Sequence, residues 1–161
     1  MKKIAALFAL VLTMSACSDE ITRNNPGFEG LKNGQRWRAA DVTAVKSANG
    51  TLVLTGITQF ETLVLKTTST TPSTYTLGTG IANQASFLIS QNGEEISYQT
   101  GIEKGEGQII ITEFDDVNQT ITGSFEFKAP KLGATLPTDL DPAEIQFQKG
   151  IFYKLPLQPA L

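Results

Sequence analysis

Along most of the stretch from Asn33 to Leu155, apolar side chains recur at every second position. This period of two constrains the fold more than any other feature of the 161-residue chain. In an extended strand successive side chains point to opposite faces, so such a pattern builds a sheet with one dry and one wet face. Residues 51–57 place Leu52 and Leu54 on one face and Thr51, Val53 and Thr55 on the other. Residues 85–91 set Ala85, Phe87 and Ile89 against Ser86, Leu88 and Ser90. Residues 120–128 align Ile121, Gly123, Phe125 and Phe127 against Thr120, Thr122, Ser124, Glu126 and Lys128. Further strand-like segments are 35–40, 42–46, 60–67, 75–78, 95–100, 108–114, 145–149 and 151–155, with Gly150 expected as a bulge between the last two. Beyond residue 17 no window of helical length carries a 3.6-residue period.

The punctuation agrees with that reading. Asn49-Gly50 and Asn92-Gly93 are type I′ hairpin signals, and 115–119 reads as a turn. Residues 66–74 and 129–144 lack periodicity and read as loops, the longer one holding three prolines. The expectation is an all-β fold: a single antiparallel sandwich or partly open barrel of about 8–10 strands. Alternation by itself fits both.

The first 17 residues follow another logic. Lys2 and Lys3 precede an apolar stretch at 4–12, too short to span a bilayer, and the small Ser15 and Ala16 lead into Cys17. Met14-Ser15-Ala16-Cys17 resembles the bacterial lipobox, with methionine where leucine is commonest. The resemblance implies a signal peptide at 1–16, cleavage before Cys17, and acyl chains on the Cys17 thiol and amine. Each buried CH₂ is worth roughly 0.8 kcal/mol, so two or more chains hold a protein on a membrane. An ordinary secretory signal with an incidental cysteine is the alternative. Ser18-Asp19-Glu20 resembles the acidic export signal of Bacteroidetes surface lipoproteins, against the plainer reading of a solvated linker. The expected location is the outer membrane, facing the cell exterior. The expected organisation is a lipidated tether at 17–32, a β domain at 33–157 and a tail at 158–161.

Composition narrows the chemistry. The chain has no histidine and one cysteine, Cys17. Ser-His-Asp triads, cysteine nucleophiles and His- or Cys-ligated zinc are thereby excluded within it, as is an intramolecular disulfide. Losing Lys2 and Lys3 with the signal moves the net charge from −3 to −5. No basic run is interleaved with aromatics, so nucleic acid is not an expected partner. No cofactor is expected.

Four groups of residues are candidates for more than structure. Glu113, Asp115, Asp116 and Asn118 offer oxygen ligands to a cation, although their spacing fits no EF-hand loop and a solvated turn explains them as well. Glu94, Glu95, Glu103 and Glu106 could supply a carboxylate pair for glycoside hydrolysis, but adjacent strand residues point to opposite faces. Trp37, Tyr75, Tyr98 and Tyr153 could form an aromatic platform; Trp37 and Tyr98 are expected instead in the core with a polar tip at its edge. Leu132, Leu136 and Leu140 in the long loop are candidates for partner contact.

The stretch 108–127, QIIITEFDDVNQTITGSFEF, together with Asn33-Gly34, Trp37-Arg38-Ala39 and Lys149-Gly150-Ile151-Phe152, resembles a family of small Bacteroidetes lipoproteins whose all-β domain has no assigned function. The resemblance implies the fold and no activity. The combined expectation is a membrane-anchored, non-enzymatic module that binds a protein or glycan partner or serves in assembly. A lipocalin-like carrier of a small apolar ligand is the alternative, and an enzyme using carboxylates alone comes third.

Overall fold

A computed structural model describes residues 26–133 and 142–159. The signal at 1–16, Cys17, Ser18, Asp19, Glu20, Leu136 and Leu140 lie outside the described residues. Eleven strands form: β1 (Gly27–Lys32), β2 (Gln35–Arg38), β3 (Asp41–Lys46), β4 (Leu52–Ile57), β5 (Glu61–Thr67), β6 (Ser73–Leu77), β7 (Gln84–Gln91), β8 (Glu94–Gln99), β9 (Glu106–Asp115), β10 (Thr120–Pro130) and β11 (Glu144–Pro159). They make one strongly curled, open sheet in the order β6-β9-β10-β11-β3-β4-β5-β7-β8, with β1 against β11 and β2 outside β1. This is the partly open barrel of the two expected architectures.

The corner of the curl is β11. Its first part pairs antiparallel with β10 on one side and β1 on the other, and Leu157–Pro159 then run parallel to Ala44–Lys46 of β3. That is the one parallel pairing among the described strands. A bulge helps the strand turn: Phe125 faces Gly150 and Phe127 faces Phe147, so β11 carries an extra residue between them. Gln148 and Lys149 both point outward there, between the buried Phe147 and Gly150. The expected irregularity at Gly150 is thus present, within a single long strand and not between two. The seam opposite β11 is stapled where Tyr98 bridges Lys131 and Leu132 N–H donates to the Ser97 carbonyl at 2.7 Å.

Alternation decides what faces inward. Leu52, Leu54, Leu63, Leu65, Ala85, Phe87, Ile109, Ile121, Phe125 and Phe127 are all buried. Their rings pack closely: Phe127 stacks on Phe147 with centroids 5.1 Å apart, and Phe28 meets Phe125 edge-on at 5.3 Å. Three glycines accept rings directly. A Cβ added to Gly150 would lie 2.5 Å from Phe125, one on Gly123 2.4 Å from Phe152, and one on Gly56 2.6 Å from Phe28. Glycine inside a strand here marks close approach of another group.

Several expectations need correction. The tether was expected to run to residue 32, but residues 27–32 form β1, and Phe28 within it is 1 % exposed. A polar, aperiodic stretch hid a strand because Gly27 and Gly30 break the alternation. Asn33-Gly34 was read as part of an opening strand. It is the β1–β2 turn, with φ of 48° and 79° joining the paired Lys32 and Gln35. Asn92-Gly93 is the expected two-residue hairpin, with φ of 56° and 81°. Asn49-Gly50 is not a type I′ turn: of the pair only Gly50 has positive φ, 87°. The loop holds three residues, closed by Gly50 N–H to the Ser47 carbonyl at 2.9 Å. This is a type I turn followed by a left-handed glycine. The segment 66–74 contributes residues to both β5 and β6, which leaves a shorter connection than expected.

The ring contacts predict a sharp contrast between two glycines. Gly150→Ala drives a methyl into Phe125, itself wedged against Phe28, Phe127 and Phe147. It should cost about 1–3 kcal/mol in a urea melt. Gly80→Ala meets nothing within 4 Å and should stay within about 0.5 kcal/mol of the parent.

Candidate binding surface

The interior is occupied. Phe28, Phe87 and Phe147 surround Trp37 edge-on or nearly so, at 5.8, 6.5 and 5.6 Å. The Trp37 indole Nε1 is buried and has no hydrogen-bond partner among the described residues. Edge-on packing of this kind is the arrangement that the ring quadrupoles favour. One mouth of the half-barrel is closed by an ion pair. Lys32 and Glu61 share the inward parity of their strands, and the Lys32 ammonium bonds Glu61 while lying 5.3 Å from the Phe87 ring centroid. The pair joins β1 to β5, strands not adjacent in the sheet.

With the inside filled, the polar chemistry lies on the outer face of β9, β10 and β11. Their register sets Lys128 beside Glu106 on one side and Gln146 on the other, and Glu126 beside Gln108. These side chains point outward because Ile109, Phe127 and Phe147 point inward. Together with Gln148 they line an open groove of about 360 Å³. Gln108 Nε2 donates to Glu126 Oε1 at 2.9 Å, and Lys128 Nζ lies 3.3 Å from Glu106 Oε1. The floor is backbone. Gly107, at φ 136°, lets β9 close on β10 where a Cβ would meet the Glu126 carbonyl at 2.2 Å. The β11 bulge turns Gln148 outward at the far wall. The groove therefore offers three amides, two carboxylates and one ammonium on a rigid sheet, a set that can both donate to and accept from hydroxyl groups.

The residues singled out from sequence fall elsewhere, with one exception. Glu106 is in the groove, bonded to Lys128, while Glu94 and Glu95 are exposed on β8 and Glu103 sits in the β8–β9 turn. Asp115 closes the β9–β10 hairpin: its Oδ1 accepts the N–H groups of Val117 (3.0 Å) and Asn118 (2.9 Å), and its Oδ2 accepts the Asn118 amide at 2.7 Å. The Asp116 carboxylate and carbonyl both accept the Gln119 amide. Side-chain donors and turn backbone thus occupy the oxygens, and no cluster of three or more metal-ligating side chains forms among the described residues. The turn reading of Asp115, Asp116 and Asn118 explains them.

The aromatic platform does not form, and Trp37 and Tyr98 lie in the core as expected. Trp37, Tyr75 and Tyr98 are buried, because inward parity places them in the core. Their polar atoms turn to backbone where they can: Tyr75 Oη donates to the Thr71 carbonyl at 2.7 Å, and Tyr98 Oη to the Pro142 carbonyl at 3.1 Å. Tyr153 is half-buried with the Lys154 ammonium 5.4 Å from its ring centroid. Leu132 is 41 % exposed beside the seam staple.

The groove residues Gln108, Glu126, Lys128, Gln146 and Gln148 were not singled out from sequence. The available signal was the outward parity of long polar side chains on three strands. That these strands are neighbours is a fact of topology.

Residues 24–156 match the family model described as Domain of unknown function (DUF6252). The chain belongs to this family. The DUF6252 match begins before β1, in agreement with a domain that starts ahead of Asn33, and it includes the whole groove. Comparison with curated proteins and with solved structures returns no match.

Two measurements probe these contacts. Lys32→Met leaves Glu61 without its partner in a largely buried mouth. It should cost about 1–2 kcal/mol, and Lys32→Met with Glu61→Leu should recover most of that loss. The Asn118 side-chain amide and then its backbone N–H hold the Asp115 carboxyl below its ordinary range. A depressed folded pKa stabilises the fold at pH above the unfolded value of about 4 and is lost as pH falls through the folded value. Asp115→Asn should therefore flatten the acid limb of urea midpoints measured between about pH 5 and pH 2.

Proposed function

We propose that this DUF6252 chain is a lipid-anchored, non-enzymatic binding module of the outer-membrane surface, of the Bacteroidetes type, whose partner seats on the β9–β10–β11 groove. The observation that carries the reading is the division of chemistry between the two faces of the sheet. Rings with centroids 5.1–6.5 Å apart fill the concave side, and the hydrogen-bonding capacity lies outside. The groove favours a partner rich in hydroxyl groups, a glycan first, because amides and carboxylates on a rigid strand pair bind vicinal hydroxyls without reorganising.

Cys17 supports the anchor. It is the sole cysteine and follows Met14-Ser15-Ala16. With β1 starting at Gly27, residues 18–26 form the link and reach at most ~30 Å from the membrane. A non-enzymatic role agrees with a chain devoid of histidine and with groove carboxylates that already have partners, Glu106 with Lys128 and Glu126 with Gln108. A carrier of apolar ligands finds no support in a concave side filled by side chains.

The test has two arms. In cells, the wild type should incorporate labelled palmitate and yield to external protease, while Cys17→Ser should leave the membrane fraction. An unlabelled or protected wild type refutes the anchor or the display. In vitro, a glycan array should bind the protein, and Glu126→Ala with Gln146→Ala should weaken that binding at least about tenfold at unchanged Tm, a loss equal to two or more hydrogen bonds. Binding indifferent to both substitutions rules out the groove.

A further inference from the structure

Strand pairing sorts the β9–β10–β11 face into two ends. β1 starts with Gly27 opposite Tyr153, so the chain from Cys17 enters the domain beside that residue of β11. The β9–β10 turn lies at the same end, because Thr120 faces both Asp115 and Pro156. So does the end of β3, where Lys46 faces Pro159. The polar groove occupies the other end, where Lys128 faces Gln146 on one side and Glu106 on the other. From Gln146 to Tyr153 the strand runs ~20 Å at about 3.3 Å per residue.

The entry end carries the most exposed large apolar side chain among the described residues, Val117 at 91 %. Val117 stands at the crest of a fixed turn. Asp115 accepts its N–H and that of Asn118, and Asp116 accepts the Gln119 amide, so these carboxylates bend back on their own loop. Two cations flank the turn. The Lys46 ammonium lies 4.4 Å from the Phe114 ring centroid, and Lys154 is exposed on β11, where its backbone N–H donates to Thr122 Oγ1 at 3.1 Å. An apolar tip with ammonium groups beside it suits the boundary between lipid phosphates and acyl chains. The carboxylates of Glu113, Asp115 and Asp116 offset the two lysines, so the apolar tip and not net charge makes the contact.

We propose that this end of the domain rests on the bilayer that holds the Cys17 acyl chains, with Val117 entering the headgroup layer, and that the groove therefore faces away from the membrane. The inference rests on the lipid-anchor reading. Length and place of entry select the occupant. Residues 18–26 span at most ~30 Å and join the domain at Gly27, so the bilayer is the surface held next to the β9–β10 turn. One valine is too little to bind a membrane by itself. The acyl chains supply the residence and raise the local concentration of the tip at the surface, and the tip sets the orientation. Attached and seated by the same end, the sheet holds its groove ~20 Å farther out, open to a partner arriving from solution.

Paramagnetic broadening of amide signals by gadolinium-bearing lipid headgroups tests the orientation. The chain from Cys17 onward is coupled through that thiol to a maleimide phospholipid in nanodiscs of phosphatidylethanolamine and phosphatidylglycerol. The coupling supplies the anchor, so the map is read whether or not cells acylate Cys17; palmitate incorporation reads that separately, and either reading can fail alone. The expected result is a several-fold greater loss of signal at residues 46–50 and 115–119 than at 106–108 and 146–148. Val117→Asp, a change on an exposed side chain, should level that difference at unchanged Tm. Uniform loss, loss greatest in the groove, or a pattern indifferent to Val117→Asp overturns the proposal. If the variant fails to fold, the wild-type map decides by itself.

Discussion

Phenyl rings seated on glycine residues are the contact on which the rest of this structure depends. Phe28 lies on Gly56, Phe125 on Gly150 and Phe152 on Gly123, each closer than any added Cβ could tolerate. A sheet that curls crowds its concave side, and something on that side has to be small. Glycine in a strand costs roughly 0.5–1 kcal/mol relative to alanine. A buried phenyl removes some 150–250 Å² from water, worth about 4–6 kcal/mol at 25 cal/mol per Å². The balance favours the ring over the missing methyl, and the curl follows from it.

The division of labour between faces follows in turn. Rings meeting across the curl leave little of the concave side for anything else, and the Lys32–Glu61 pair closes one mouth over Phe87. Long polar side chains are left to the convex side, where β9, β10 and β11 present amides and carboxylates over a floor of backbone. The same β11 that walls the groove also turns the corner to β3, so the groove and the curl share one bulge. A side chain at Gly150 would disturb both.

Parity explains which residues were legible in advance. The inward and outward sets of β4, β7 and β10 follow from alternation, because one buried face enforces a strict register. Asn92-Gly93 was legible since both residues occupy the left-handed region that a two-residue hairpin demands. Asn49-Gly50 has the same letters and a different turn, since the Ser47 N–H bonds the Thr51 carbonyl and leaves three residues inside that closing pair. β1 was missed because its inward positions are Phe28, Gly30 and Lys32, a ring, a gap and a charge. Lys32 looks like a solvated residue until Glu61, 29 positions away, is placed beside it.

The sequence alone determined that the folded part is all-β, which face of most strands is dry, that no histidine or second thiol is available for chemistry, and that a lipobox-like cysteine precedes the domain. These are local properties, set by side-chain period and residue identity. Only the tertiary structure decided the strand order, the half-barrel over the sandwich, the burial of Tyr75, and the assembly of Gln108, Glu126, Lys128 and Gln146 into one groove. Those depend on contacts between segments far apart in the chain. Such contacts are chosen by how rings and glycines fit together in three dimensions, which no period along one strand encodes.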